Sequence, residues 1–152
     1  MSPPGGSMFE VPLRDVMVKN CKMMVQVAPE TTVREATRAM AQVSAGAVLV
    51  VQAEQLIGIF TERDVVYRVV ARDLDPAVTP LSQVMTPTPR TLTPEQPFGM
   101  ALTLMHKKGF RHVPVVQDGR PLGMVFARNA LDPDMEDFVA ESRRRDRYVV
   151  AD

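Results

Sequence analysis

The chain has no tryptophan, one cysteine and only two tyrosines and two histidines in 152 residues. A lone Cys21 cannot close an internal disulfide, and no cysteine-rich zinc site can form around it. It reads as a small half-buried residue rather than a nucleophile. An excess of one charge is missing too, since 18 Lys and Arg balance 18 Asp and Glu. That balance gives no general drive toward nucleic acid or an anionic membrane. No apolar run approaches the roughly 18 residues of a membrane span. Residues Met1 to Met8 (MSPPGGSM) carry no basic region followed by an apolar stretch, so they do not read as a signal peptide. They read as a flexible lead-in, and the expected location is cytoplasmic. Catalytic motifs are equally scarce. There is no G-x-x-x-x-G-K-[ST] loop, no H-E-x-x-H and no recognisable Ser/His/Asp or Cys/His arrangement. The expectation is a non-enzyme, with no catalytic residues, no catalytic cofactor and no metal site. What is plentiful is aliphatic: 45% of residues are hydrophobic and 11 are Met. A core of flexible and β-branched side chains follows.

The chain repeats itself. Sliding it by 65 positions lays Pro29–Asp64 on Pro94–Asn129 without a gap, with ten of 36 positions identical. Unrelated segments would share about two or three, so the duplication is real. Among the identities are Pro29/Pro94, Glu30/Glu95, Ala36/Ala101, Met40/Met105, Val50/Val115 and Gly58/Gly123. A second echo precedes each copy. Leu13-Arg14-Asp15-Val16-Met17 matches Leu81-Ser82-Gln83-Val84-Met85 at an offset of 68. Both copies carry the same order of signals. A short strand (Met23–Val27 or Arg90–Thr93) precedes a Pro-Glu pair that opens a helix. Val33, Ala36, Met40 and Val43 share one helical face, as do Phe98, Ala101, Leu102 and Met105. Valine-rich runs, Ala47–Val51 and Val113–Val116, predict strands paired with Leu56–Phe60 and Leu122–Phe126. Gln117-Asp118-Gly119-Arg120 is a hairpin turn, because Asp-Gly tolerates positive φ. A helix with a Val65, Val66, Val69, Val70 stripe closes the first copy, and Pro76 and Pro80 mark the linker. Asp132-Pro133 opens a last helix that ends in Arg143, Arg144 and Arg145. Acids at Glu136, Asp137, Glu141 and Asp146 offset those arginines, which argues against nucleic acid as a partner.

The expected fold class is therefore α/β (α+β), built from two pseudo-symmetric repeats, each a three-stranded sheet flanked by helices. Such a half buries little alone, so the two should pack together. The expected organisation is a flexible 1–10, repeats at 11–75 and 76–131, and a C-terminal helix and tail at 132–152.

Gly58-Ile59-Phe60-Thr61-Glu62-Arg63-Asp64 resembles the G-h-h-T-x-x-D signature of CBS domains, where h is apolar. The Val16-Met17 and Val84-Met85 lead-ins and Arg111-His112-Val113-Pro114-Val115-Val116 resemble that family as well. The likeness runs from about Leu13 to Leu131. It implies a CBS pair, or Bateman module, that binds adenosine-containing ligands in clefts between the repeats and forms a homodimer. AMP, ADP or ATP leads the ligands implied, with NAD and S-adenosylmethionine as further candidates. With no effector domain in this sequence, a regulated partner would be a separate protein.

An adenosine phosphate needs an acceptor for its ribose diol, cations for its phosphate and apolar walls for its base. By resemblance, Asp64 would take the ribose and Thr61 the phosphate or ribose. Thr-x-x-Asp is also close to a capping box, in which both side chains serve the helix itself. In this family the cleft is crossed, so Pro89, Arg90, Arg111, His112 and Val113 of the second copy would complete it. Pro89 would lie against the adenine, with Arg111 and His112 at the phosphate. His106, beside Lys107 and Lys108, reads as exposed. The mirror cleft departs from the pattern. Phe126 stands for the Thr and Asn129 for the Asp, while Gly46 and Ala47 offer no cation. Arg128 is retained. The expectation is one competent cleft and one weak or empty. A ligand-free dimerisation or docking scaffold is the alternative, with nucleic-acid binding behind it.

Overall fold

Two hairpins with the same irregularity organise the molecule. The computed structural model describes residues 8–17 and 24–126. The first hairpin joins β2 (Ala47–Gln52) to β3 (Gln55–Thr61), and the second joins β5 (His112–Gln117) to β6 (Arg120–Phe126). Their registers shift between Val50 and Val51 and again between Val115 and Val116, positions that the 65-residue offset superposes. Asp118 and Gly119 turn the second hairpin with φ of 53° and 80°, as the Asp-Gly pair predicts. Ala53 and Glu54 make the same left-handed turn in the first, at 51° and 65°, without a glycine.

Each hairpin carries a helix before it. Helix α2 (Val33–Val43) starts at Thr32, whose hydroxyl accepts from the Glu35 N–H at 3.2 Å and donates to the Glu35 carboxylate at 3.0 Å. Val33, Ala36 and Met40 face inward and are buried. Helix α5 (Phe98–Lys108) follows Pro97, and buries Phe98 and Ala101. Leu104 and Met105 pack on the second-repeat core, so that face turns through Leu104 where the sequence pattern put Leu102.

The lead-ins are exchanged between the halves. Helix α1 (Leu13–Val16) buries Leu13 among Leu92, Ala101, Val113, Val115 and Val125 of the second repeat. Helix α4 (Leu81–Val84) buries Leu81 and Val84 with Val33, Met40, Val48 and Phe60 of the first. The hydrogen bonds repeat with the same symmetry. Leu13 N–H donates to Gln96 O and Leu81 N–H to Thr31 O, both at 2.9 Å. Phe98 N–H donates to Val11 O at 2.8 Å, and Val33 N–H to Thr79 O at 2.9 Å. Each half therefore completes the other's core. A third cluster of Ala47, Leu49, Ile59 and Met124, with Phe126 against it, seals the face between the repeats.

The mixed α/β class stands, but strand content is unequal among the described residues. Strand β1 (Val25–Val27) pairs parallel with β2, and β4 (Thr86–Pro87) pairs antiparallel with β3. The first sheet thus has four strands in the order β1-β2-β3-β4, and the second has two. Arg90–Thr93 does not form the predicted strand. Only Leu92 makes a parallel bridge, to Val115. The fourth strand of the first sheet comes instead from the segment after the linker. It can approach β3 because a Cβ on Gly58 would overlap the Met85 sulfur.

The helix after β3 also departs from the pattern. The turn α3 (Glu62–Asp64) continues into a wider turn, Val65–Val70, with the Ala71 N–H donating to Val66 O at 2.9 Å. Val69 is buried and Val65 packs on the first core, but Val66 and Val70 are 54% and 66% exposed. One edge of the valine stripe meets the core; the other, four residues apart, is turned outward. Cys21, the lead-in 1–7, Arg128, Asn129 and the expected C-terminal helix lie outside the described residues. No described helix is long and apolar enough to cross a membrane.

Candidate functional site

The end of β3 and the start of α3 form one wall of a cleft. Thr61 leaves the strand in an extended conformation and caps the helix. Its hydroxyl accepts from the Asp64 N–H at 3.3 Å, while the Asp64 carboxylate accepts from the Thr61 N–H at 2.9 Å and lies 3.2 Å from the hydroxyl. Both partners of the capping box are thus in place. The other Asp64 oxygen lies 3.4 Å from Arg68 Nε. Arg68 also donates through Nη1 to the carbonyls of Val84 and Met85, at 3.3 and 3.1 Å. The signature carboxylate is therefore aimed from two sides, and its support is tied to the lead-in that precedes Pro89 and Arg90. Two carboxylate oxygens offer about four acceptor positions, so the cap and Arg68 leave capacity for further donors.

The opposite wall belongs to the second repeat. Pro89 and Arg90 line it, together with Arg111 and His112. The cleft has a volume of about 760 Å³, within the range of small-molecule sites. Of the seven residues predicted for it, Thr61, Asp64, Pro89, Arg90, Arg111 and His112 come together here. Val113 does not. It is fully buried in the second-repeat core, and the next residue, Pro114, faces the cleft instead. The cause is alternation along β5: adjacent side chains take opposite faces of a strand.

Sequence reasoning missed several lining residues. Arg63 lies with its guanidinium 5.2 Å from the centre of the Tyr67 ring, a cation–π distance. Both line the cleft, with Lys108 at the end of α5 and Phe110 on the loop that leads into β5 across from them. Gly109, at φ 72°, ends α5 and turns the chain between Lys108 and Arg111. The basic spacing of that loop was visible in the sequence, but nothing local said that it faced Thr61.

His112 packs edge-on against Phe126, with ring centres 5.5 Å apart, on directly paired positions of β5 and β6. The matching pair in the first repeat is Ala47 and Thr61. Phe126, which stands where the signature has Thr, thus supports a residue of the first cleft. The residues expected at a second cleft are divided. Ala47 is buried in the face between the repeats. Gly46 lies beside the first cleft, where a Cβ would come within 3.3 Å of both Glu62 Oε1 and His112 Nε2. Among the described residues, no group of three or more His, Cys, Asp and Glu could hold a metal ion.

The family model described as CBS domain matches this chain twice, over residues 13–71 and 81–132. CBS domain-containing protein CBSCBSPB3 of Arabidopsis thaliana is 34% identical over 113 residues, 74% of this chain and 20% of that protein. The chain thus spans about a fifth of the length of the first curated relatives it matches. A Burkholderia ambifaria structure, named for signal transduction and CBS domains, superposes with a TM-score of 0.73 at 27% identity. It covers 82% of this chain and 93% of that one. A CBS domain protein of Pyrobaculum aerophilum, solved as a complex with AMP, superposes with a TM-score of 0.71 at 21% identity, over 86% and 97% of the two chains. With two matches of the family model covering both repeats and the same fold in these structures, the chain belongs to the CBS domain family.

Proposed function

We propose that the chain is a regulatory module that binds an adenosine-containing ligand in the Thr61–Asp64 cleft and passes its occupancy to a separate effector protein. The observation that carries this reading is convergence: a capped, oriented carboxylate from one repeat faces Arg90, Arg111 and His112 of the other. A ribose diol would donate to Asp64, Pro89 would lie against the base, and the cations would take phosphate. That a protein of this fold is complexed with AMP supports the choice of ligand. In this reading the residues hold and orient a ligand and catalyse nothing. The repeats are taken as 11–75 and 76–131, and the module works as a cytoplasmic homodimer. A ligand that bridges the two walls favours the arrangement in which they are close, and only such unequal binding can shift a conformational balance.

The test is thermal stability with AMP, ADP, ATP, NAD and S-adenosylmethionine, on the wild type and Arg111→Ala. Arg111 is exposed and forms no ion pair with another described residue, so without ligand the variant should melt no lower than the wild type. A ligand at a hundred times its Kd stabilises by about 2.7 kcal/mol, roughly 5–10 °C here. A shift that shrinks in Arg111→Ala supports the cleft. No shift with any ligand favours a second reading, a docking scaffold in which Thr61 and Asp64 serve only each other. The completed capping box is the observation behind it.

A further inference from the structure

The charges of the cleft are not balanced. Arg63, Arg90, Lys108 and Arg111 line it against two carboxylates, Glu62 and Asp64. Asp64 is already paired with Arg68, which stands outside the lining set. Glu62 is then the one carboxylate left to oppose four cations. None of the four forms an ion pair with another described residue, although the chain as a whole is neutral. They also come from both walls: Arg63 from the first repeat, and Arg90, Lys108 and Arg111 from the second. Four like charges around one cavity repel one another when it is empty, and a polyanion relieves that repulsion.

We infer that the cleft is built for the polyphosphate tail of a nucleoside di- or triphosphate, and discriminates against monophosphates and cationic adenosyl ligands. The inference rests on the ligand-binding reading above and narrows it by charge. A single phosphate carries about −1.5 to −2 near neutral pH, which matches only about half the charge of the four cations. A diphosphate or triphosphate adds charge and length together. S-adenosylmethionine brings a sulfonium cation into the same surroundings and would be repelled. Each exposed cation–phosphate contact contributes a factor of about 1.5 to 5, so two or three extra contacts give about a tenfold preference.

The experiment is titration calorimetry of the intact chain in metal-free buffer with ATP, ADP, AMP, adenosine, S-adenosylmethionine and inorganic tripolyphosphate. It is run at low and at high salt. Affinity should rise from AMP through ADP to ATP, with ATP about tenfold tighter than AMP. That advantage should collapse at 1 M salt, where charges are screened within about 3 Å. Lys108→Ala and Arg90→Ala should each weaken ATP by about 1.5- to 5-fold and leave adenosine unchanged. AMP or S-adenosylmethionine binding as tightly as ATP would overturn the inference while leaving an adenosine site. Tripolyphosphate binding with no nucleoside contribution would remove the adenosine reading and keep the polyphosphate one. Binding by none of the six compounds refutes both.

Discussion

Leu13→Ala should weaken the second repeat, not the first in which Leu13 lies by sequence. Leu13 is fully buried, and its neighbours are Leu92, Ala101, Val113, Val115 and Val125. Removing most of a buried leucine side chain costs about 2–5 kcal/mol, depending on how far the site collapses. The backbone around Leu13 is held by hydrogen bonds to Gln96 and Pro94, at 2.9 and 3.0 Å, which limits collapse. About 3 kcal/mol is therefore expected, a fall in Tm of roughly 6–12 °C at this chain length. Amide hydrogen exchange locates the loss. Where opening is local, β5 and β6 should exchange about 100-fold faster, with much smaller changes in β2 and β3. Leu81→Ala is the mirror experiment. Leu81 is also fully buried, but among Val33, Met40, Val48 and Phe60, so it should loosen β2 and β3. The exchanged packing is wrong if Leu13→Ala speeds exchange in β2 and β3 as much as in β5 and β6. A loss below about 1 kcal/mol for both leucines refutes it equally.

Three further outcomes follow from the same geometry. Thr61→Ala removes the acceptor for the Asp64 N–H and should lower stability by about 1 kcal/mol in urea unfolding, with Thr61→Ser recovering most of it; equal stability of all three proteins would deny the cap. Arg68→Met and Asp64→Ala should couple in a double-mutant cycle by about 0.5–1 kcal/mol, modest because the arginine side chain is 37% exposed. Strict additivity would show that the 3.4 Å approach carries no energy. Gly58→Ala sets a Cβ against the Met85 sulfur and should cost about 1–3 kcal/mol in thermal unfolding, partly restored by Met85→Ala. A silent Gly58→Ala would mean that Met85 moves aside freely.

The duplication is legible in the sequence as identities 65 residues apart, and the hairpins and the two amphipathic helices are legible because each is written in neighbouring residues. Valine-rich runs favour strands, Asp118-Gly119 favours a left-handed turn, and the 3.6-residue spacing of Val33, Ala36 and Met40 favours a helix. It also named six of the lining residues, since the signature and its crossed partners could be carried over position by position. Tertiary structure decided which surfaces meet. Leu13 and Leu81 look alike in sequence, and only long-range packing sends each to the other repeat. The four valines after Asp64 share one chemistry, yet two are exposed, because the element is covered on one side only. Val113 was assigned to the cleft and is buried, because strand alternation gives that direction to Pro114. Arg63, Lys108 and Phe110 became cleft residues through a juxtaposition of distant segments. Local propensity acts over a few bonds; the cleft exists only where two hairpins distant in sequence are brought face to face.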